Sequence, residues 1–190
     1  QSVLARGARG QSVRRAADPL TAYKVLRLKR EIGDNAHVGL MVLSTNRLES
    51  PGDYPVLGGF GPGKARQPPQ LCPTGDLVAV GERCFHDAYV AGVDGRWRSP
   101  SGDYVVTAQA IASLIKNGPP RTLPDGTVIK SGDIGPGVQV QLAKEGGEHV
   151  VGNLIYEGYG RSLDYNDLGY MQRQNLHRFY GGVEYRTVKP

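Results

Sequence analysis

The feature that most constrains this chain is an alternation of apolar and polar side chains that ends at its single tryptophan. From Tyr89 to Trp97 the odd positions are apolar or small, whereas the even positions include Asp94 and Arg96. Successive side chains of a β-strand point to opposite faces, so a period of two predicts a strand with one apolar and one polar face. This segment therefore predicts a β-sheet with one apolar face and one face exposed to water.

Six further runs carry β-strand signals. Four of them alternate in the same way, and the other two flank the turn residues Gly33, Asp34 and Asn35, which predicts a hairpin. Most runs exceed the five or six residues usual in globular domains and approach the roughly 9 to 11 that a membrane-crossing strand needs. Short turns alternate with long loops, as in outer-membrane barrels. The runs are 22–31, 37–44, 104–113, 138–143, 150–157 and 179–186.

These patterns predict an all-β fold, an antiparallel meander of about seven to eight long strands forming part or all of an outer-membrane-type β-barrel. The mean hydropathy of −0.38 is compatible with a barrel, because only alternate residues face lipid. No run approaches the roughly 18 to 20 apolar residues of a membrane-spanning helix. Aromatic residues near strand ends suit interfacial girdles: Tyr23, Tyr89, Trp97, Tyr104, Tyr156, Phe179 and Tyr185.

Two regions are expected along the chain. Residues 1–20 are rich in Arg, Ala and Gly and predict a basic linker or disordered lead-in, whereas residues 21–190 predict the partial barrel, with long loops at 46–86 and 114–135. The formal net charge is +5, but Lys and Arg are spread along the chain, so no nucleic-acid partner is predicted. The last run ends near the C-terminus with nothing to pair against, so a fragment of a larger barrel is expected.

The two cysteines, Cys72 and Cys84, lie in one loop-like segment and are a candidate disulfide, which would fit an oxidising compartment. A reduced pair is the alternative. A zinc site built with His86 is a weaker alternative, because structural zinc sites use four ligands at tight spacings. The sequence therefore predicts no metal site and no cofactor.

No catalytic residue is predicted. Residues 58–64 match the glycine and lysine spacing of a phosphate-binding loop, but Ala65 stands where magnesium would need Ser or Thr. The GxSxG turn of serine hydrolases is absent.

Binding residues are expected among polar side chains that face the barrel interior or lie at its rim. Asp94, Glu157 and Glu184 would be interior charges balanced by Arg96 and Arg186. Residues 162–175 contain Asp and Asn side chains that close tight turns, and predict a structured connection between two strands at the rim. The candidate residues are Asp94, Arg96, Asn153, Glu157, Asn166, Asp167, Arg173, Glu184 and Arg186.

Three groups of residues together resemble a bacterial family, the domain of unknown function 5916. They are Asn166 to Tyr170 with Arg173 and Asn175, then Arg27 to Glu31 with Gly39 to Met41, and then Ala91 to Asp94. The resemblance covers roughly residues 22–186. Longer members look like a family-nine carbohydrate-binding-type module followed by an outer-membrane barrel. The resemblance therefore implies a barrel fragment whose module is absent, and it brings no catalytic residues.

Three hypotheses of function follow. The first is an outer-membrane barrel segment for solute passage or surface binding, with the lipid bilayer, a saccharide or other small solute, and the rest of the barrel or another chain as partners. The second is a secreted or periplasmic β-sandwich that binds glycan or protein, in which Tyr89, Val93 and Trp97 would be buried against a second sheet. The third is a hydrolase on a β scaffold, which requires carboxylates or histidines to converge in a pocket.

Overall fold

The computed structural model describes residues 2–6 and 12–16 by their backbone, and residues 19–50, 54–58 and 69–187 with their side chains. Residues 59–64, which complete the match to the spacing of a phosphate-binding loop, lie outside the described residues. The described strands are β1 (Ser2–Arg6), β2 (Ser12–Ala16), β3 (Leu20–Ile32), β4 (Ala36–Leu48), β5 (Gln70–Leu71), β6 (Leu77–Val78), β7 (Asp87–Arg98), β8 (Tyr104–Lys116), β9 (Arg121–Thr122), β10 (Val128–Ile129), β11 (Ile134–Lys144), β12 (Val150–Tyr159) and β13 (Leu176–Tyr185).

Seven long strands form one sheet in the order β13-β12-β11-β8-β7-β4-β3. Each long strand lies beside the next long strand of the chain, and the pairing is antiparallel, so the sheet is a meander with β3 and β13 at its edges. The prediction of an all-β antiparallel meander of about seven to eight long strands is confirmed. In the segment for which the sequence predicts a linker, β1 pairs with β2.

Short and long connections alternate between these strands. The short turns cover residues 33–35, 99–103 and 145–149, and the long connections cover residues 49–86, 117–133 and 160–175. Each short turn contains a glycine with a positive φ, namely Gly33, Gly102 and Gly147. Residues with a Cβ rarely adopt this conformation, which explains why the chain reverses at these points.

The main sheet has one apolar and one polar face. The apolar face is open, because Val93 is 55% exposed, Trp97 47% and Phe179 71%. The opposite face carries charged and amide side chains, for which the register gives an example: Gln139 of β11 lies opposite Gln109 of β8 and Glu157 of β12. The alternation in the sequence is therefore present as two faces that run across the strands.

The chain divides into two compact units. The first unit comprises Gln1–Tyr23, Thr45–Ala88 and Ile115–Asp133, and the second comprises Lys24–Ser44, Tyr89–Leu114 and Ile134–Pro190. In the first unit a disulfide joins Cys72 and Cys84, whose Cα atoms are 5.3 Å apart. Tyr54, Val78 and Phe85 pack around the bond. The predicted disulfide is confirmed, so these sulfurs are not zinc ligands.

Two buried carboxylates share one arginine in the first unit. Glu49 accepts hydrogen bonds from the Tyr54 hydroxyl at 2.5 Å and from Arg83 Nε at 3.0 Å. Arg83 Nη1 also donates to Asp87 Oδ2 at 2.6 Å. Asp87 also accepts a hydrogen bond from the Arg47 backbone N–H and one from Asn117 Nδ2, each at 2.8 Å. The first unit is thus held by a disulfide and an ion-pair network.

Removing the disulfide is expected to destabilise the first unit. A Cys72→Ala/Cys84→Ala variant opens a loop with a sequence separation of 12, and closing a loop of about this size is worth about 3 kcal/mol. Hydrogen exchange should become faster for amides near the bond, including the Cys72 amide that donates to Asp76 O at 2.8 Å.

The amides of β11 and β12, which belong to the second unit, are the internal control and should keep their exchange rates. Wild-type protein that is reduced and alkylated should reproduce the pattern of the double variant. Unchanged exchange around residues 70–85 in both samples would contradict this role of the disulfide.

Candidate functional site

A cavity of about 250 Å³ lies on the polar face of the second unit. Strands β3, β4, β7, β8, β11 and β12 supply its floor, and the connection between β12 and β13 supplies part of its cover. The lining residues are Arg27, Met41, Leu43, Val90, Gly92, Asp94, Gln109, Ile111, Gly137, Val138, Gln139, Tyr159, Tyr165 and Leu168. This mixture of apolar side chains and a few polar groups is typical of small-molecule sites.

The covering segment, residues 160–175, lies directly on the sheet because glycine leaves room for it. Leu163 is fully buried. A Cβ added to Gly135 would stand 2.2 Å from the backbone N and Cα of Leu163, and a Cβ on Gly137 would stand 2.9 Å from Leu163 Cδ2. Only a strand without side chains at these two positions allows the covering segment to approach so closely.

Hydrogen bonds fix the covering segment in place. The Asp164 amide donates to Ser113 Oγ of β8 at 3.0 Å, and Asp164 Oδ1 accepts from the Asn166 backbone at 3.1 Å. Asn166 Oδ1 in turn accepts from the Met171 amide at 3.0 Å. These turns leave Tyr165 at the cavity. The sequence places this segment at the rim, and the structure places it over the polar face of the sheet.

An ion pair closes one side of the cavity. Arg27 of β3 makes two hydrogen bonds to Asp94 of β7, one of them between Nη2 and Oδ2 at 2.9 Å. Gly39 of β4, the strand between them, makes this reach possible, because a Cβ there would stand 2.5 Å from Arg27 Nη2. The charges of Arg27 and Asp94 therefore balance each other at this side of the cavity.

A buried carboxylate organises the other side. The Glu157 side chain is 6% exposed, pairs with Arg178 Nε, and accepts a hydrogen bond from Gln139 Nε2 at 3.0 Å. Burial first, and then the negative charge of Glu157, raise the pKa of Tyr165, which lies in the covering segment. The Tyr165 phenol therefore keeps its proton at neutral pH and remains a hydrogen-bond donor.

The arrangement suits binding of an uncharged molecule. The charged groups at the cavity are paired with one another, whereas the amides of Gln109 and Gln139 and the Tyr165 phenol supply uncharged donors and acceptors. Among the described residues, no group of three or more His, Cys, Asp or Glu side chains could hold a metal ion.

The structure distributes the predicted binding residues over several places. Asp94 lines the cavity, and Glu157 is buried beside it. Asp94 pairs with Arg27, whereas Arg96 lies 3.8 Å from Glu145, so Asp94 and Arg96 do not form an ion pair with each other. The side chain of Arg27 reaches Asp94 because β4 offers only Gly39 between them.

The remaining predicted residues lie away from the cavity or within its cover. Asn153, Glu184 and Arg186 line a second, more open cavity of about 490 Å³ on the polar face, where Arg186 pairs with Glu184 at 2.9 Å. Asn166, Asp167 and Arg173 belong to the covering segment; Asn166 holds its turns, and Arg173 is exposed.

Several lining residues were not predicted from the sequence. A signal was present for Gln109 and Gln139, because both are polar positions of alternating runs, but neither was among the predicted binding residues. Arg27 gave no such signal, because residues 24–30 carry two basic side chains on each face of the strand and alternation does not distinguish between them. Tyr165 could not be found by periodicity, because it lies outside any strand.

Comparison with known proteins gives no match: no protein-family model, no curated protein and no solved structure is similar to this chain at a significant level. The resemblance to the domain of unknown function 5916 therefore stays a prediction. Within the described residues there is no helix that is both long and apolar enough to cross a membrane.

Substituting Gly135 is expected to displace the covering segment. In Gly135→Ala the new Cβ meets the backbone of Leu163, which cannot move away as a side chain could, so the Asp164 to Ser113 hydrogen bond should be lost. Trypsin should then cleave faster at the exposed Arg161 and Arg173, at the two ends of the segment.

Gly182→Ala is the matched control, because Gly182 lies on the same face of the sheet and its added Cβ would have only Asn153 Oδ1 nearby, at 3.9 Å. Cleavage of this variant should match the wild type. If trypsin cleaved Gly135→Ala no faster than Gly182→Ala, a Cβ at position 135 would not displace the covering segment.

Proposed function

We propose that the seven-stranded sheet is part of the wall of a bacterial outer-membrane β-barrel whose polar face lines an aqueous interior that binds or passes a small solute. The observation that carries the proposal is the open apolar face opposite the polar one. Exposed apolar patches larger than a few hundred Å² mark interaction surfaces, and this one extends from β3 to β13. A lipid bilayer is the occupant that such a broad surface fits best.

The dimensions of the strands support a bilayer. The seven long strands contain 10 to 13 residues, and at about 3.3 Å per residue they are about 33 to 43 Å long. Tilted by about 45°, they would cross about 23 to 30 Å, which agrees with the apolar band of about 25 Å on outer-membrane barrels. The alternation of short turns with long connections is also typical of these proteins.

The proposal requires a partner for the two edges of the sheet. β3 and β13 are edge strands, and hydrocarbon cannot satisfy unpaired backbone N–H and C=O groups. In the membrane these edges would pair with each other, with further strands of the same protein or with another chain. The disulfide in the first unit suits the oxidising side of the membrane.

Two alternatives fit the observations less well. A β-sandwich would bury Val93 and Trp97 against a second sheet, and both side chains are about half exposed. A hydrolase on this scaffold would need carboxylates or histidines that converge in a pocket. Asp94, Glu157 and Glu184 each pair with a different arginine rather than with one another. The proposal therefore assigns no catalysis.

The single tryptophan allows a direct test of membrane insertion. Trp97 lies on the apolar face, so after reconstitution into vesicles its fluorescence should be quenched by lipids brominated on their acyl chains. The protein should also fractionate with outer membranes and require detergent. Recovery as a soluble monomer without detergent, with Trp97 unquenched, would refute the proposal.

A shift of one residue supplies the matched control. In Trp97→Phe/Arg96→Trp the fluorophore moves to the polar face of the same strand, because successive side chains alternate. In Trp97→Phe/Val93→Trp it stays on the apolar face. Quenching should be several times weaker for the Arg96 position than for the Val93 position, and equal quenching would argue against a lipid-facing surface.

A further inference from the structure

The charges at the cavity are already neutralised within the protein. Arg27 and Asp94 are the only charged side chains among the described residues that line it, and they pair with each other. Glu157, which lies directly opposite Gln139 on β12, pairs with Arg178. A charged ligand would lose hydration without gaining an unpaired counterion, which is costly in a partly enclosed site.

The groups that remain for a ligand are uncharged. Gln109 and Gln139 lie directly opposite each other on β8 and β11, so their amides are neighbours at the cavity. Within the described part of the chain no hydrogen bond engages the Gln109 amide, which therefore offers both donors and an acceptor. Gln139 gives Nε2 to Glu157 and keeps its oxygen as an acceptor.

The rest of the lining limits the size and the character of the ligand. A volume of about 250 Å³ is below the 300 Å³ or so at which pockets for drug-sized molecules begin. Apolar side chains such as Leu43, Ile111 and Leu168 alternate with the amides, so a ligand with both C–H and O–H surfaces fits better than an ion. Tyr159 and Tyr165 add a phenol and an aromatic ring each.

We infer that this cavity binds an uncharged solute rich in hydroxyl groups, of about the size of one sugar ring, between the sheet and the covering segment. The inference rests on the proposed role in solute binding or passage and names the class of solute. The Gln109 and Gln139 amides provide the hydrogen bonds to hydroxyl groups, and the apolar side chains contact the C–H surface.

Binding to the full chain in detergent micelles, measured by isothermal titration calorimetry, tests the inference. The probes are glucose, galactose, mannose and sorbitol as neutral ligands, with glucuronate and glucosamine as charged analogues of one ring. At least one neutral probe should bind saturably, and each charged analogue should bind at least about 10-fold more weakly. Failure of every neutral probe to bind, or equal binding of a charged analogue, would overturn the inference.

Gln109→Leu keeps the side-chain size and removes the amide, so the affinity for the neutral probe should fall roughly 3- to 10-fold. Gln141→Leu is the matched control. Gln141 follows Gln139 on the same face of β11, but it lines the second cavity. Its affinity should equal that of the wild type. Unchanged binding in Gln109→Leu, or an equal loss in both variants, would place the ligand elsewhere.

Quenching of Trp97 by brominated lipid, measured after the same purified proteins are mixed with vesicles, separates the two proposals. Normal quenching without neutral-sugar binding would refute the inferred ligand and leave the barrel wall standing. Saturable sugar binding by a protein that stays soluble and unquenched would refute the barrel wall and support the cavity. Both variants should show wild-type quenching, since neither substitution lies on the apolar face.

Discussion

The register between neighbouring strands is the constraint on which the other features of the second unit depend. Val140, Tyr156 and Phe179 lie opposite one another on β11, β12 and β13, and they form one apolar row of the sheet. One residue away, Gln139, Glu157 and Arg178 form a polar row on the other face. Because side chains alternate, a slip by one residue would exchange the two rows and would place a charge among apolar side chains. The register therefore preserves the apolar surface and the cavity together.

Glycine explains how a polar face can hold a site without a second layer of secondary structure. Gly39 lets the Arg27 to Asp94 pair cross β4, and Gly135 and Gly137 let the covering segment rest on β11. Each glycine lowers the strand's own stability, since it adds backbone entropy to the unfolded chain and packs no side chain. The compensation lies in contacts that a Cβ would prevent, namely a paired guanidinium and a buried Leu163.

Local patterns in the sequence predicted the strands and the disulfide. They could not predict contacts between segments that are distant along the chain. Alternation located the strands around residues 89–97 and 104–113, and the cysteine pair predicted the disulfide. The end of β4 was placed at residue 44 rather than at Leu48, because Ser44, Thr45 and Asn46 are polar on both faces and interrupt the alternation. The Arg27 to Asp94 pair and the position of residues 160–175 involve partners that no local pattern connects.

The buried Glu157 shows how charge and ligand binding are separated in this site. A carboxylate taken out of water is costly unless it is paired and hydrogen-bonded. Arg178 supplies the charge, and Gln139 Nε2 supplies a hydrogen bond that fixes the orientation of the Gln139 amide. The pair thus positions an uncharged acceptor and offers no free charge of its own. Preorganised neutral groups favour a neutral ligand, because the protein has compensated its charges before the ligand arrives.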